Sequence, residues 1–396
     1  MARHDQGYTL VELVVVMMIF SIVMTLICVS FNRIVASSGQ LVKSAETDIG
    51  GLIGLELLRC DLELAGFGLF WSMPAAVNYD EAKAGVSVHG CPDGCPEADA
   101  SLFNDGRPRL PNISRPPRAY VVGDNVGYHG SDYLVLKGTA LGMSETSRSW
   151  SYLNYSSNGA VVKSSKSELE LRPGKSERVI VIKSSVTGSG VASRELVTDG
   201  SDFSLPFNRP LPAQFEPKRK QDQYLVYGVA RANQDKLVRP FNRADYYLTR
   251  ADDTPVNCAP NTGLLNKRTL DQDGGFTSYP ILDCVADLQV VFYMDTDQNG
   301  EIDYHPHIDD HEFTAADLRE QLKEIRVYIL AQQGKKNSGY FYPVDDPDKA
   351  IVVGDPKLAP SLGKVWSERE LSENFGAGWR NYHWKVYTIV VQPKNL

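Results

Sequence analysis

Asp295-Thr-Asp297-Gln-Asn299-Gly300-Glu301-Ile-Asp303 places an oxygen-bearing side chain at every second position. Hard oxygen donors at the first, third and fifth places, a glycine at the sixth to turn the chain and a carboxylate at the ninth match the first part of a calcium loop. Asp295, Asp297, Asn299, Glu301 and Asp303 are the candidate ligands, and calcium is the ion they suit. The twelfth place is Pro306, so the bidentate glutamate of a complete loop is absent, and Asp309, Asp310 or Glu312 substitutes only if the chain folds back. Without metal the stretch is a polar hairpin turn, because Asn-Gly suits a tight connection between strands.

Other chemistry is harder to find. His305-Pro-His307-Ile-Asp309 opens like a binuclear metallohydrolase site, but Asp310 intervenes before His311 and the remaining histidines are scattered, so a solvated loop is the better reading. No P-loop, G-x-S-x-G elbow, H-E-x-x-H or Rossmann glycine pattern occurs. Cys91-Pro-Asp-Gly-Cys95 lacks the C-x-x-C spacing of redox enzymes and zinc sites. The chain is therefore expected not to be an enzyme. Trp150, Tyr152 and Tyr155 read as strand packing in a serine-rich β region rather than as an adhesive patch.

One further residue is chemically conspicuous. From Leu10 to Phe31 the sole formally charged side chain is Glu12, and 22 residues at about 1.5 Å rise span about 33 Å, enough to cross a bilayer. A carboxylate at the centre of such a helix costs about 2.5–3.5 kcal/mol, and less near an end, so it calls for a partner. Cleavage after Gly7 would make Tyr8 the new terminus, with a free ammonium four residues from Glu12 or beside the Glu12 of an adjacent copy. No small-residue site of the secretory type follows the run. Arg3, His4 and Arg33 flank it and barely choose an orientation, with a cytoplasmic amino terminus favoured.

With 396 residues, 42% apolar and 23% charged, the chain can bury a large core, and its net charge of −8 gives no attraction to nucleic acid. Of six cysteines, Cys28 lies in the apolar run and Cys60 soon after it. If the distal part is extracytoplasmic, Cys91 with Cys95 and Cys258 with Cys284 are the natural disulfide pairs.

These residues must be carried on recognisable elements. Leu52, Leu55, Leu58, Leu62 and Ala65 recur at spacings of three and four, which predicts one helix from about Thr9 to Ala65, stopped at Gly66 and Gly68. Gly50, Gly51 and Gly54 are where it is expected to bend. Beyond Gly68, strands are expected at 119–122, 132–137, 159–163, 178–183, 223–229, 246–250, 288–294, 325–331 and 385–392. One later helix is expected over Thr314–Lys323, with Thr314 and Asp317 at its cap. Residues 74–117 and 337–379 read as loop-rich insertions. The pattern predicts an α+β domain with an antiparallel sheet.

Gly7, the aromatic Tyr8, then Thr9-Leu10-Val11-Glu12-Leu13 and a long apolar run resemble the class III signal of type IV pilins and type II secretion pseudopilins. In those families a prepilin peptidase cuts after the glycine and methylates the new terminus, and the fifth mature residue is this glutamate. Tyr8 stands where phenylalanine is usual, and the leader is short with little positive charge. LLRCDLELAGFG at 57–68, SDYLVL at 131–136, YPILDCVADLQVVFYMDTDQNGEIDY at 279–304, EIRVYILA at 324–331 and YTIVVQPKNL at 387–396 together are similar to PilW-like minor pilins.

The resemblance implies a pilin-like fold: leader 1–7, transmembrane half-helix 8–33, amphipathic half-helix 34–66 and a periplasmic or extracellular β-rich domain 67–396. It implies a structural role in initiating pilus assembly, at the filament tip, with minor and major pilins, the prepilin peptidase and the inner membrane as partners. The alternatives are a J-type pseudopilin of a secretion system and a pilus-displayed adhesin using residues 74–117.

Overall fold

The computed structural model describes residues 15, 17–20, 23–24, 51–88, 99–156, 161–163, 171, 177–186, 192–208, 210–231, 236–250, 255–303, 313–358 and 362–396. Residues 51–64 form helix α1, free of proline, with Leu55, Leu58, Leu62 and the following Ala65 buried on one side. It stops at Gly66 and Gly68, whose φ values of 85° and 71° are the left-handed geometry that glycine adopts without strain.

The helix lies on a seven-stranded sheet. In spatial order this runs β1 (Tyr120–Gly123), β2 (Tyr133–Gly138), β9 (Asn242–Thr249), β10 (Gly263–Leu270), β11 (Phe276–Met294), β12 (Leu322–Gln333) and β15 (His383–Val391). Every neighbouring pair is antiparallel. Between β2 and β9 the chain builds a second antiparallel sheet from β3 (Trp150–Asn154), β4 (Val161–Lys163), β5 (Glu177–Val186), β6 (Ala192–Leu196), β7 (Leu205–Pro206) and β8 (Gln223–Arg231). The main core joins α1 to one face of the large sheet, through residues such as Leu134, Leu136, Tyr246, Leu288 and Ile329, and to Ile180, Ile182 and Val229 of the second. The fold is α+β with a large antiparallel β domain.

The opposite face of the large sheet is covered in two halves. Residues 74–117 cover β1, β2 and β9, where Val88 and Phe103 pack on Val121, Tyr133, Val135 and Tyr247. Residues 337–379 cover β11, β12 and β15, and contain the hairpin β13 (Ile351–Gly354) and β14 (Gly363–Trp366) and helix α3 (Glu368–Phe375). The sequence reading of 337–379 as loop-rich is thus corrected: Ser367 caps α3 in a reciprocal box with Glu370, and the helix buries Leu371 and Phe375.

Each of the nine expected strands coincides with an observed one, most with shifted ends. Strands β3, β6, β7, β10, β13 and β14 lie outside the expected set. Helix α2 (Ala315–Gln321) has the expected Thr314–Asp317 capping box, but Leu322 and Lys323 belong to β12, whose pairing with Met294 overrides helix propensity there. Trp150 and Tyr152 lie on β3 as strand residues.

Two expectations for the first helix change. Leu52 is 63% exposed and not part of the buried face. Gly51 and Gly54 face β11: a Cβ at Gly54 would overlap the Ile281 carbonyl oxygen, and one at Gly51 would lie 3.0 Å from Leu282 Cδ1. These two glycines permit close helix–sheet approach, a role that the expectation of a bend did not include, and Gly50 lies outside the described residues.

Candidate functional site

Helix α1 is joined to the sheet by polar contacts as well as apolar ones. Asp61, 1% exposed, sits between Leu58 and Leu62 on the buried side. Lys267 Nζ of β10 pairs with its Oδ2 at 2.5 Å, and Tyr246 of β9 donates its hydroxyl to the same oxygen at 2.7 Å. Burial, and then the Asp61 charge, push the Tyr246 phenol well above its ordinary value, so it stays a donor. At the next two residues, Tyr120 donates to the Leu62 carbonyl at 2.8 Å, and Asn395 near the carboxyl end donates to that of Glu63 at 2.7 Å. The arrangement fixes the angle at which α1 leaves the sheet. An acid within an apolar helical stripe was the sequence signal for this junction, and sequence reasoning passed over it. Cys60, on the outer side, is a free, exposed thiol.

The aspartate loop leaves the end of β11. Asp295, fully buried, accepts from the backbone N–H of Asn299 (Oδ1, 3.0 Å) and of Gly300 (Oδ2, 3.0 Å), and Lys323 Nζ lies 3.2 Å from Oδ2. Burial alone would raise its carboxyl, but Lys323 and these amides outweigh it and hold the group below the ordinary range. Asp303 accepts from Thr296 N–H at 2.8 Å and Thr296 Oγ1 at 2.9 Å, the amide bond being the main cause of its lowered pKa. The glycine is required: Gly300 has φ 95°.

Carboxylate oxygens of Asp295, Asp297 and Asp303 lie within 4.8 Å of one another, and Glu301 is not in this group. Asn299 Oδ1 accepts from Glu301 N–H at 2.7 Å. Three anionic oxygens on one side of a tight turn suit a hard divalent cation in charge and donor type. Lys323 already neutralises part of that charge, so a cation here competes with its ammonium. The possible later ligands Asp309, Asp310 and Glu312 lie outside the described residues.

Cys258 and Cys284 form a disulfide, as expected for that pair. Cys91 and Cys95 lie outside the described residues, as do Gly7, Tyr8 and Glu12. Of the apolar run, residues 15, 17–20 and 23–24 are described; all are helical and expose their side chains. Among the described residues no helix is long and apolar enough to cross a membrane.

Residues 2–27 match the prokaryotic N-terminal methylation motif. The chain carries a prepilin-like signal. Such a signal belongs to type IV pilin-like and pseudopilin proteins, and implies a prepilin peptidase as its processing enzyme and anchoring in the inner membrane before assembly. No curated protein and no solved structure matches the chain.

Proposed function

We propose that the chain is a minor pilin of a type IV pilus, PilW-like in kind, cleaved after Gly7, methylated on Tyr8 and acting structurally in the initiation of assembly at the filament tip. The observation that carries this reading is the methylation motif at residues 2–27, upstream of a helix locked to its domain by the buried Asp61–Lys267 pair. Within the domain, that pair and the Tyr246 hydrogen bond hold residues 51–64 to the sheet. Glu12 neutralises the new ammonium of a neighbouring subunit, which selects the docking register. The bulk of residues 67–396 supports a tip position, since so large a domain would crowd a lattice of small subunits. Replacing Glu12 by Ala tests the role: the variant should stay in the inner membrane and vanish from sheared filaments. Unchanged incorporation would refute it, and loss of protein export with intact pili would favour a secretion pseudopilin.

We also propose that the loop of Asp295, Asp297 and Asp303 takes calcium, supported by the convergence of their carboxylates. Calorimetry on the full chain in detergent should show saturable binding at millimolar calcium, tightened by Lys323→Met, which removes the competing ammonium. No heat of binding in either form would end this proposal.

A further inference from the structure

A cavity of about 190 Å³ lies where residues 104–118 meet helix α2, walled by Trp71, Leu110, Pro116 and Phe313. It is smaller than the roughly 300–1,000 Å³ of sites for drug-sized ligands, and has room for one group the size of an amino acid. Its polar lining is unusual for a chain of net charge −8: Arg115, Arg118 and Arg319 against a single carboxylate, Asp105. That carboxylate is already committed, since it pairs with Lys137 Nζ at 2.5 Å and with Arg118 Nε at 2.6 Å.

Arg118 is the informative group. It is 8% exposed, and Nε is bound to Asp105, yet its two terminal nitrogens have no hydrogen-bond partner among the described residues. Arg118 lines the cavity, and its guanidinium keeps some solvent exposure there. A guanidinium held by Nε and offering a free N–H fork is preorganised for a planar oxyanion. At the mouth, the exposed Arg115 guanidinium forms no ion pair among the described residues. Arg319 stacks on one side of Trp71 at 4.6 Å, and Arg194 stacks on the same ring at 4.9 Å, so the indole is occupied by cations and is a poor platform for a neutral sugar ring.

We propose that this cavity binds a carboxylate carried on a compact apolar body, the carboxylate on the Arg118 fork and the body against Leu110, Pro116 and Phe313. The site does not depend on the pilin reading. The test is calorimetry on the full chain in detergent, with N-acetyl-leucine, its uncharged amide and acetate as probes. The acid should bind saturably, with the amide and acetate each weaker by at least about tenfold, the size expected for hydrogen bonds to a charged group and for burial of an apolar side chain. Arg118→Lys, which keeps a cation beside Asp105 but removes the fork, should weaken the acid by a similar factor without changing the melting temperature. Should that variant unfold, Arg115→Gln and Arg319→Gln, at the rim, must each weaken the acid several-fold. A short peptide with a free terminal leucine that outcompetes N-acetyl-leucine would identify the source as a protein terminus, and the reverse order a free acid. Absence of saturable binding at about 10 mM acid, equal binding of acid and amide, equal binding of acetate, or indifference to the arginine changes would overturn the proposal.

Discussion

Residues 74–117 and 337–379 cover two halves of one sheet face, and they are held there by different balances of apolar packing and buried charge. In the first, buried ions supplement a small apolar patch around Val88 and Phe103. Glu81 pairs with Lys137 Nζ at 2.9 Å and Arg243 Nη1 at 3.4 Å, and its other oxygen accepts the backbone N–H groups of Asp105 and Gly106 at 2.6 and 3.1 Å. In the second, Trp366, Phe375 and Trp379 form an apolar cluster with β11, β12 and Trp384 of β15, and hydrogen bonds play a supporting part. Among the described residues, the first segment has little regular structure and satisfies part of its backbone through charged side chains; the second satisfies much of its backbone with a hairpin and a helix and is free to bury rings. Irregular chain can be as firmly placed as regular chain, provided that buried charges supply the missing hydrogen bonds.

The contrast can be broken most severely at Lys137. Replacing it by Ala leaves Glu81 and Asp105 short of a buried counter-ion and should cost about 3–5 kcal/mol in denaturant melts, with amides of 74–117 losing hydrogen-exchange protection first. On the other half, Trp366→Phe keeps a ring but removes the Nε1–H donor to buried Asp287 Oδ2, now at 2.7 Å, for about 1–3 kcal/mol by the same melts. Ser367→Ala removes the cap of α3 and should cost about 0.5–2 kcal/mol, with exchange increased in 368–375 and unchanged in 74–117.

The smallest effect expected is one of sign. Burial works to raise Asp105, but Lys137 and Arg118 outweigh it and leave its carboxyl below the ordinary 3.8. Its contribution is therefore present above that value and lost as pH falls through the lower folded one. Asp287 is the reverse: burial, only partly offset by Lys364, raises its carboxyl, so its contribution is full below 3.8 and declines as pH rises through the folded value. As pH falls from about 4 toward 2, exchange corrected for intrinsic rates should open 74–117 ahead of 337–379. Simultaneous opening would mean that the ion network does not govern its half.

How much of this could be read from sequence follows from the range of the interactions. Strands with β-branched runs, such as 288–294 and 325–331, declare themselves locally, as does the Thr314–Asp317 cap. The Ser367–Glu370 cap carried the same local signal, but the glycine- and proline-rich chain around it masked the helix. Lys137 reads as the polar end of a strand; it is buried because Glu81 and Asp105 arrive from a segment with no periodicity of its own. Gly51 and Gly54 read as a hinge because helix propensity is local, whereas the backbone of β11 that they admit is more than 200 residues away. The aspartate loop was legible as a donor pattern, but Lys323 beside Asp295 was not, since β12 brings it in from another element.

The central claim, that this is a subunit released for polymerisation by cutting its leader, is tested most directly by mass spectrometry of the amino terminus of protein recovered from cells. The account predicts a chain beginning with N-methylated Tyr8. A chain that still begins at Met1 or Ala2, from cells whose prepilin peptidase processes other substrates, would contradict it.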